Sequence, residues 1–88
     1  MAITVELTYD MAKALGGVRR FEVSDARTVA DVVRQTRERF GDQGEAFAKL
    51  TRVAAVAVNG VLSNYRKGMS TQLVDGDTVT FLKAAAGG

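Results

Sequence analysis

The sequence predicts an α+β domain: a mixed sheet of four to five strands with one main helix packed on one face. Three observations carry that expectation. Segments with strand periodicity stand towards both ends of the chain. One amphipathic helix, with its own start and stop signals, lies between them. Two turn dipeptides, Asn59-Gly60 and Asp75-Gly76, punctuate the second half.

The first strand is "ITVELTY". Ile3, Val5, Leu7 and Tyr9 alternate onto one face, and Thr4, Glu6 and Thr8 onto the other, the pattern of a half-buried strand. "DMAKALGG" then reads as a connection closed by a turn at Gly16-Gly17. That glycine pair lacks the Lys-Ser/Thr signature and the strand-to-helix setting of a phosphate loop, so it reads as a plain turn. "VRRFEV" is the second strand, with Phe21 and Val23 inward and Arg20 and Glu22 outward. The two strands form a hairpin across a long loop.

"TVADVVRQTRERFG" is the main helix. Thr28 suits the N-cap, and Asp31 stands three residues on, where a capping-box carboxylate belongs. Val29, Val32, Val33, Thr36 and Phe40 recur at helical spacing, while Arg34, Arg37, Glu38 and Arg39 lie largely off that stripe. Gly41 stands where a left-handed C-terminal residue is expected, and Arg37 and Arg39 suit the helix dipole. "QGEAFAKL" is a short second helix carrying Phe47 and Leu50. "RVAAVAV" reads as a buried central strand rather than an edge. A tight turn at Asn59-Gly60 leads to a short strand and loop in "VLSNYRKG". "LVDGDTVTFLK" supplies a turn and a last strand, with Val79 and Phe81 on one face and Leu82 on the other. Strand, strand, helix, strand, short strand and final strand make the β-grasp order.

Composition narrows the chemistry. A chain of 88 residues predicts one domain. It has no cysteine, which removes disulfides, thiolate metal sites and thiol catalysis. It has no histidine, which removes the commonest general base and metal ligand. This favours a binding or carrier protein over an enzyme. The net charge of +2 is weak support for nucleic-acid binding. The opening residues do not resemble a signal peptide, and the longest uncharged run is too short and polar to cross a bilayer, so the expected location is cytoplasmic.

Most charged residues have a plain reading. Asp75 and Asp77 are turn residues before they are paired carboxylates. Arg19, Arg20, Arg34, Arg37 and Arg39 read as solvated faces, because no aromatic residues interleave them as a nucleic-acid surface would require. Arg52, Tyr65, Arg66, Lys67 and Lys83 are either a rim that steers a partner or ordinary surface charge. Leu62, Met69, Leu73 and Leu82 are either a docking patch or core.

The end of the chain, "FLKAAAGG", stands apart. Residues 1–83 are expected to form the domain and residues 84–88 a flexible C-terminal tail. Glycine has no side chain, so Gly87-Gly88 suits entry into a narrow channel of another protein, although small residues are also common at chain ends. The Gly88 carboxylate is the candidate reactive group.

The opening strand, "TVADVV", "VAVNG", "LVDGDTVTFL" and the final "AGG" follow one another over essentially the whole chain. In that order they resemble the ThiS/MoaD family of ubiquitin-like sulfur-carrier proteins. The resemblance implies a ubiquitin-like β-grasp fold and a carrier, not an enzyme, although such a chain also serves as the small subunit of molybdopterin synthase. It implies that a ubiquitin-activating-type adenylyltransferase uses ATP to adenylate the terminal carboxylate, and that a sulfur donor converts it to a thiocarboxylate. The sulfur then passes to a biosynthetic enzyme, of the molybdopterin synthase large subunit or cysteine synthase type. Carried over by position, Gly88 bears the reactive group with Gly87 as its neighbour. The expected partner-binding residues are Lys83, Ala84, Ala85, Ala86, Arg66 and Lys67. No bound cofactor, metal, nucleic acid or membrane is expected.

One departure and one finer likeness shape the resemblance. "KAAAGG" lacks the prolines that many members place before the terminal glycines. The spacing of Gly68, Thr71, Asp75, Gly76 and Asp77 is similar to that of the cysteine-type carriers of actinobacteria. The competing functions are a ubiquitin-like modifier conjugated to lysines and a non-covalent β-grasp interaction module.

Overall fold

In the computed structural model, which describes residues 1–62 and 68–83, the opening alternation forms β1, Ala2–Glu6. Ile3, Val5 and Leu7 are buried. The strand ends three residues earlier than the sequence pattern predicts, and Thr8 is the reason. Its Oγ1 accepts the Met11 N–H at 3.1 Å and caps a helix, α1, Tyr9–Ala14, within what reads as a plain connection. Tyr9 therefore does not join the inner face; it is 67% exposed. Met11, Ala12 and Leu15 fill the core there instead. After the Gly16-Gly17 turn, β2, Arg20–Ser24, pairs antiparallel with β1, placing Phe21 opposite Val5. The expected strand pair exists, joined by a helix rather than a simple loop.

The main helix, α2, runs Val29–Phe40. Its capping box is complete: Thr28 Oγ1 accepts the Asp31 N–H, and Asp31 Oδ2 accepts the Thr28 N–H, both at 3.2 Å. Hydrogen bonding from the Arg27 N–H first, then the Thr28 N–H, holds the Asp31 carboxyl below its ordinary range against a smaller cost of desolvation. Val29, Val32 and Thr36 are buried, and the Thr36 hydroxyl donates to Val32 O at 2.8 Å. Gly41 ends α2 with φ 57° and ψ −125°. Its φ is positive as expected, but ψ lies outside the left-handed helical well, in a region glycine tolerates best.

The chain turns directly into α3, Asp42–Thr51, longer than the short helix the sequence suggests. Phe47 is fully buried and meets Phe81 edge to face at 5.7 Å. α1 thus joins the main helix and the second helix that the sequence predicts. α2 and α3 pack against each other, with Gly44 of α3 facing the α2 backbone.

The remaining strands are β3, Ala54–Val58; β4, Val61–Leu62; and β5, Thr78–Lys83. The sheet order is β2-β1-β5-β3-β4. β1 and β5 are parallel and the other neighbours antiparallel, so the sheet is mixed, with the helices on one face: the β-grasp fold. β3 is interior, as expected, but the central strand is β5. Among the described residues, two-residue β4 alone pairs with the far side of β3, and only Val56 and Ala57 of β3 are buried.

A Cβ built on Gly44 falls 2.6 Å from both the Cα and the carbonyl oxygen of Arg37. Gly44→Ala is expected to lower stability by roughly 1–3 kcal/mol through overpacking, although alanine is the better helix former by about 1 kcal/mol. Urea denaturation measures the difference; an unchanged or raised midpoint would show that α2 and α3 separate freely.

Candidate functional site

β1 and β5 run parallel, so both finish at one end of the sheet, where β2 and β3 begin. That end gathers Glu6, Thr8, Arg19, Arg20, Arg52 and Lys83. Two pairings fix it: the Leu7 N–H donates to Arg19 O at 2.9 Å, and Lys83 stands opposite Ala54. Lys83 closes β5, the central strand, at this end. A small cavity of about 100 Å³ lies beside Lys83, lined also by Thr8, Asp10, Met11, Leu50, Val53 and Ala54.

The position of Lys83 is set by what holds β5. Val79 and Phe81 are buried on the helix face. At the entrance to β5, a polar clamp replaces apolar packing. Asn59 Nδ2 donates to Asp77 Oδ1 at 2.8 Å, and the Val74 N–H donates to Asp77 Oδ2 at 2.8 Å. The Thr78 N–H donates to Asn59 Oδ1, and the Asn59 N–H to Thr78 O, both at 2.9 Å. Asn59 can do this because it adopts φ 52° in the Asn59-Gly60 turn, a conformation asparagine accepts. Asp75 Oδ1 accepts the Ala2 N–H at 2.7 Å and ties the same turn to β1. The Val74 N–H, with help from the Asn59 amide, holds the Asp77 carboxyl below its ordinary range. Both carboxylates are therefore structural acceptors, the plain reading of this turn. Among the described residues, no group of three or more Asp, Glu, His or Cys gathers to hold a metal.

The helix-free face of the sheet follows from the strand registers. Ala55 faces Leu82, and Ala57 lies between Thr80 and Leu62, so these five residues share one face. Leu62 is 64% exposed and Leu82 39%. Across β1 and β2 the same face turns polar, with an Arg20–Glu6 ion pair at 3.5 Å and the Thr80 hydroxyl donating to Glu6 at 3.1 Å. Of the four apolar residues read as patch or core, Leu62 and Leu82 belong to this open face. Leu73 is buried in the core, and Met69 is held beside α2, its carbonyl accepting the Ala30 N–H at 2.8 Å.

The charged residues separate too. Arg34 meets Asp31 and Glu38, Arg37 meets Glu45 at 2.6 Å, and Arg39 donates to Glu22 O while lying over the Phe21 and Phe40 rings. The Arg37 hydrogen bond and charge lower the Glu45 pKa. These arginines are engaged by the molecule itself, which fits the solvated-face reading. Arg52 and Lys83 are brought to the same end of the sheet. Gly87, Gly88, Ala84, Ala85, Ala86, Tyr65, Arg66 and Lys67 lie outside the described residues. Sequence reasoning missed α1 and its exposed Tyr9. The signal was present: Thr8 as a cap, with Met11 and Leu15 at helical spacing.

The sequence model of the ThiS family matches residues 8–88. None of the curated proteins is a significant match. Among solved structures, a chain of the Amycolatopsis orientalis BexX/CysO complex is 26% identical with a TM-score of 0.76, over 98% of this chain and 99% of that one. The HVO 2177 protein of Haloferax volcanii is 25% identical with a TM-score of 0.74, over 100% of this chain and 87% of that one. The small archaeal modifier protein 1 of Methanosarcina acetivorans is 19% identical with a TM-score of 0.77, over 99% of this chain and 96% of that one, a likeness of fold.

Asp77→Ala is expected to cost roughly 1–3 kcal/mol at neutral pH, because it removes two charge-assisted hydrogen bonds from a part-buried turn. The native pKa is depressed, so the stability Asp77 contributes is present above its unfolded pKa of about 4 and is lost as pH falls through the lower native value. Denaturation of both proteins from pH 7 to about pH 2 should show the difference shrinking over that range. A difference constant with pH would remove the carboxylate from the account.

Proposed function

The chain belongs to the ThiS family, the ubiquitin-fold sulfur carriers of the ThiS/MoaD type, and we propose that it carries sulfur as a thiocarboxylate on Gly88. The observation behind this reading is the family match running through residue 88, past the central strand that ends at Lys83.

The chemistry follows from what a carboxylate lacks. It is a poor electrophile until one oxygen becomes a good leaving group. In the proposed sequence a Gly88 carboxylate oxygen attacks the α-phosphorus of ATP on an activating partner, and pyrophosphate leaves. Sulfide-level sulfur then attacks the acyl carbon, and AMP leaves with the former carboxylate oxygen. The chain has no histidine or cysteine to assist either step, so acid–base and thiol chemistry fall to the partner. The carrier contributes a terminus with no Cβ at Gly87 or Gly88, free to enter a narrow channel.

The partner contacts in this reading are Lys83, Ala84, Ala85, Ala86, Arg66 and Lys67, together with Leu62 and Leu82 of the open sheet face. The apolar half of that face adjoins the strand that ends in Lys83, so one partner surface can cover the patch while receiving the tail. The similar Amycolatopsis chain is found in a complex, which suits such use. The sulfur acceptor is a biosynthetic enzyme of the molybdopterin or cysteine type; the Gly68-to-Asp77 spacing leans to the latter.

Incubation with a cognate adenylating enzyme, ATP and a sulfur source is expected to raise the intact mass by about 16 Da, oxygen exchanged for sulfur. Deleting Gly88, or adding a residue after it, should abolish the shift without changing the unfolding midpoint. No mass gain with any cognate activator would end the carrier chemistry, and conjugates to lysine that survive reductant would favour the modifier function instead. Leu82→Asp, on the outer face, should leave the fold intact and weaken engagement of the activating enzyme by about tenfold or more. An unchanged KM for the carrier would remove the open face from the interface.

A further inference from the structure

A second concavity, of about 310 Å³, lies beside α1, lined by Tyr9, Ala12, Lys13, Gly16, Gly17 and Arg19. Its lining holds one exposed ring, two cations and no carboxylate. Lys13 and Arg19 make no ion pair or side-chain hydrogen bond among the described residues, whereas Arg20, Arg34, Arg37 and Arg39 each do. Two free cations flanking an exposed tyrosine form a local positive surface on a molecule whose net charge is only +2.

The scaffold of this groove is firm. Met11, Ala12 and Leu15 are buried and anchor α1 in the core. The glycine turn spends its own donors internally: the Gly16 N–H donates to Lys13 O at 3.3 Å and the Gly17 N–H to Ala12 O at 2.7 Å. The backbone therefore presents no converging N–H groups, as a pocket for free phosphate would. Recognition of an anion falls to the two long side chains, whose spread beside an aromatic ring suits a carboxylate-bearing peptide. Tyrosine and arginine are also the residues that most often anchor protein interfaces.

Arg19 lies at the end of the sheet from which the chain leaves at Lys83, and α1 begins there. We propose that the α1 groove docks an acidic segment of a protein partner, with Lys13 and Arg19 pairing its carboxylates and Tyr9 packing on its stem. The groove gives a partner a second foothold at the end where the tail departs. This goes beyond the carrier reading and stands without it, because the test below involves neither ATP nor sulfur.

The test is an amide NMR titration of the full chain at low salt with a capped hexaglutamate peptide, and in parallel with inorganic pyrophosphate. Saturable shifts at Lys13, Gly16 and Gly17 are expected with the peptide, fading as salt rises. Lys13→Glu with Arg19→Glu should weaken the peptide by about tenfold or more, while Arg27→Glu with Lys49→Glu, of equal charge change away from the groove, weakens it far less. The rest of each amide spectrum reports that the variants fold. Absence of groove shifts, equal loss in the two double variants, or pyrophosphate acting as strongly as the peptide would each overturn the proposal.

Discussion

The parallel pairing of β1 with β5 is the constraint on which the rest depends. Parallel neighbours cannot be joined by a tight turn, so everything between Glu6 and Thr78 must cross from one end of the sheet to the other. The intervening chain supplies the helical layer, both edge strands and the core that layer covers. The same pairing sends β5 out at the end where β1 stops and α1 begins. Phe81 against Phe47 locks β5 from the helix side, and the Asn59–Asp77 clamp locks its start from the neighbouring hairpin. Lys83 thus ends a strand held on both flanks, which in the proposed function fixes the place where a partner meets it.

The two kinds of lock do different work. Burial of Val79 and Phe81 supplies hydrophobic stabilisation but little register information, because apolar contact is not directional. The clamp supplies register. Asp77 has two oxygens with two named donors, and a slip by one residue would lose both while turning Val79 and Phe81 to the wrong face. A carrier whose function sits at the end of a strand needs that second kind of lock more than an enzyme with an enclosed site does.

Elements whose pattern agreed with their local chemistry were legible in the sequence. Thr28 and Asp31 announced α2, and both roles of the capping box are filled. Val79 and Phe81 announced the inward face of β5. Legibility failed where two periodicities overlapped. Tyr9 continues the alternation of Ile3, Val5 and Leu7, yet Thr8 caps a helix that buries Met11, with Leu15 buried at its C-cap. β3 looked central because it is apolar, but its alanines are small enough to be covered by sparse neighbours. Of the functional site, the exit strand was readable because it is a strand. The open face was only half readable, since Leu73 and Leu82 look alike until register separates core from surface.

A carrier must also let go. One large apolar interface would hold each partner too well, whereas standard stable interfaces bury on the order of 1,600 Å². This molecule divides its accessible features instead. Leu62 and Leu82 form a small apolar patch on one face, and Tyr9, Lys13 and Arg19 form a basic groove around the end of the sheet. The Glu6–Arg20 pair occupies the polar half of the open face, keeping the apolar patch small. Neither feature is large enough to hold a partner alone, because association must first overcome several kcal/mol of lost translational and rotational freedom. If the proposed tail chemistry and groove docking hold, the features act with a bound tail as linked weak contacts, whose combined strength collapses when one is released. Loss of the tail's covalent or channel contact would then free the whole chain, which is the behaviour a shuttle between two enzymes requires.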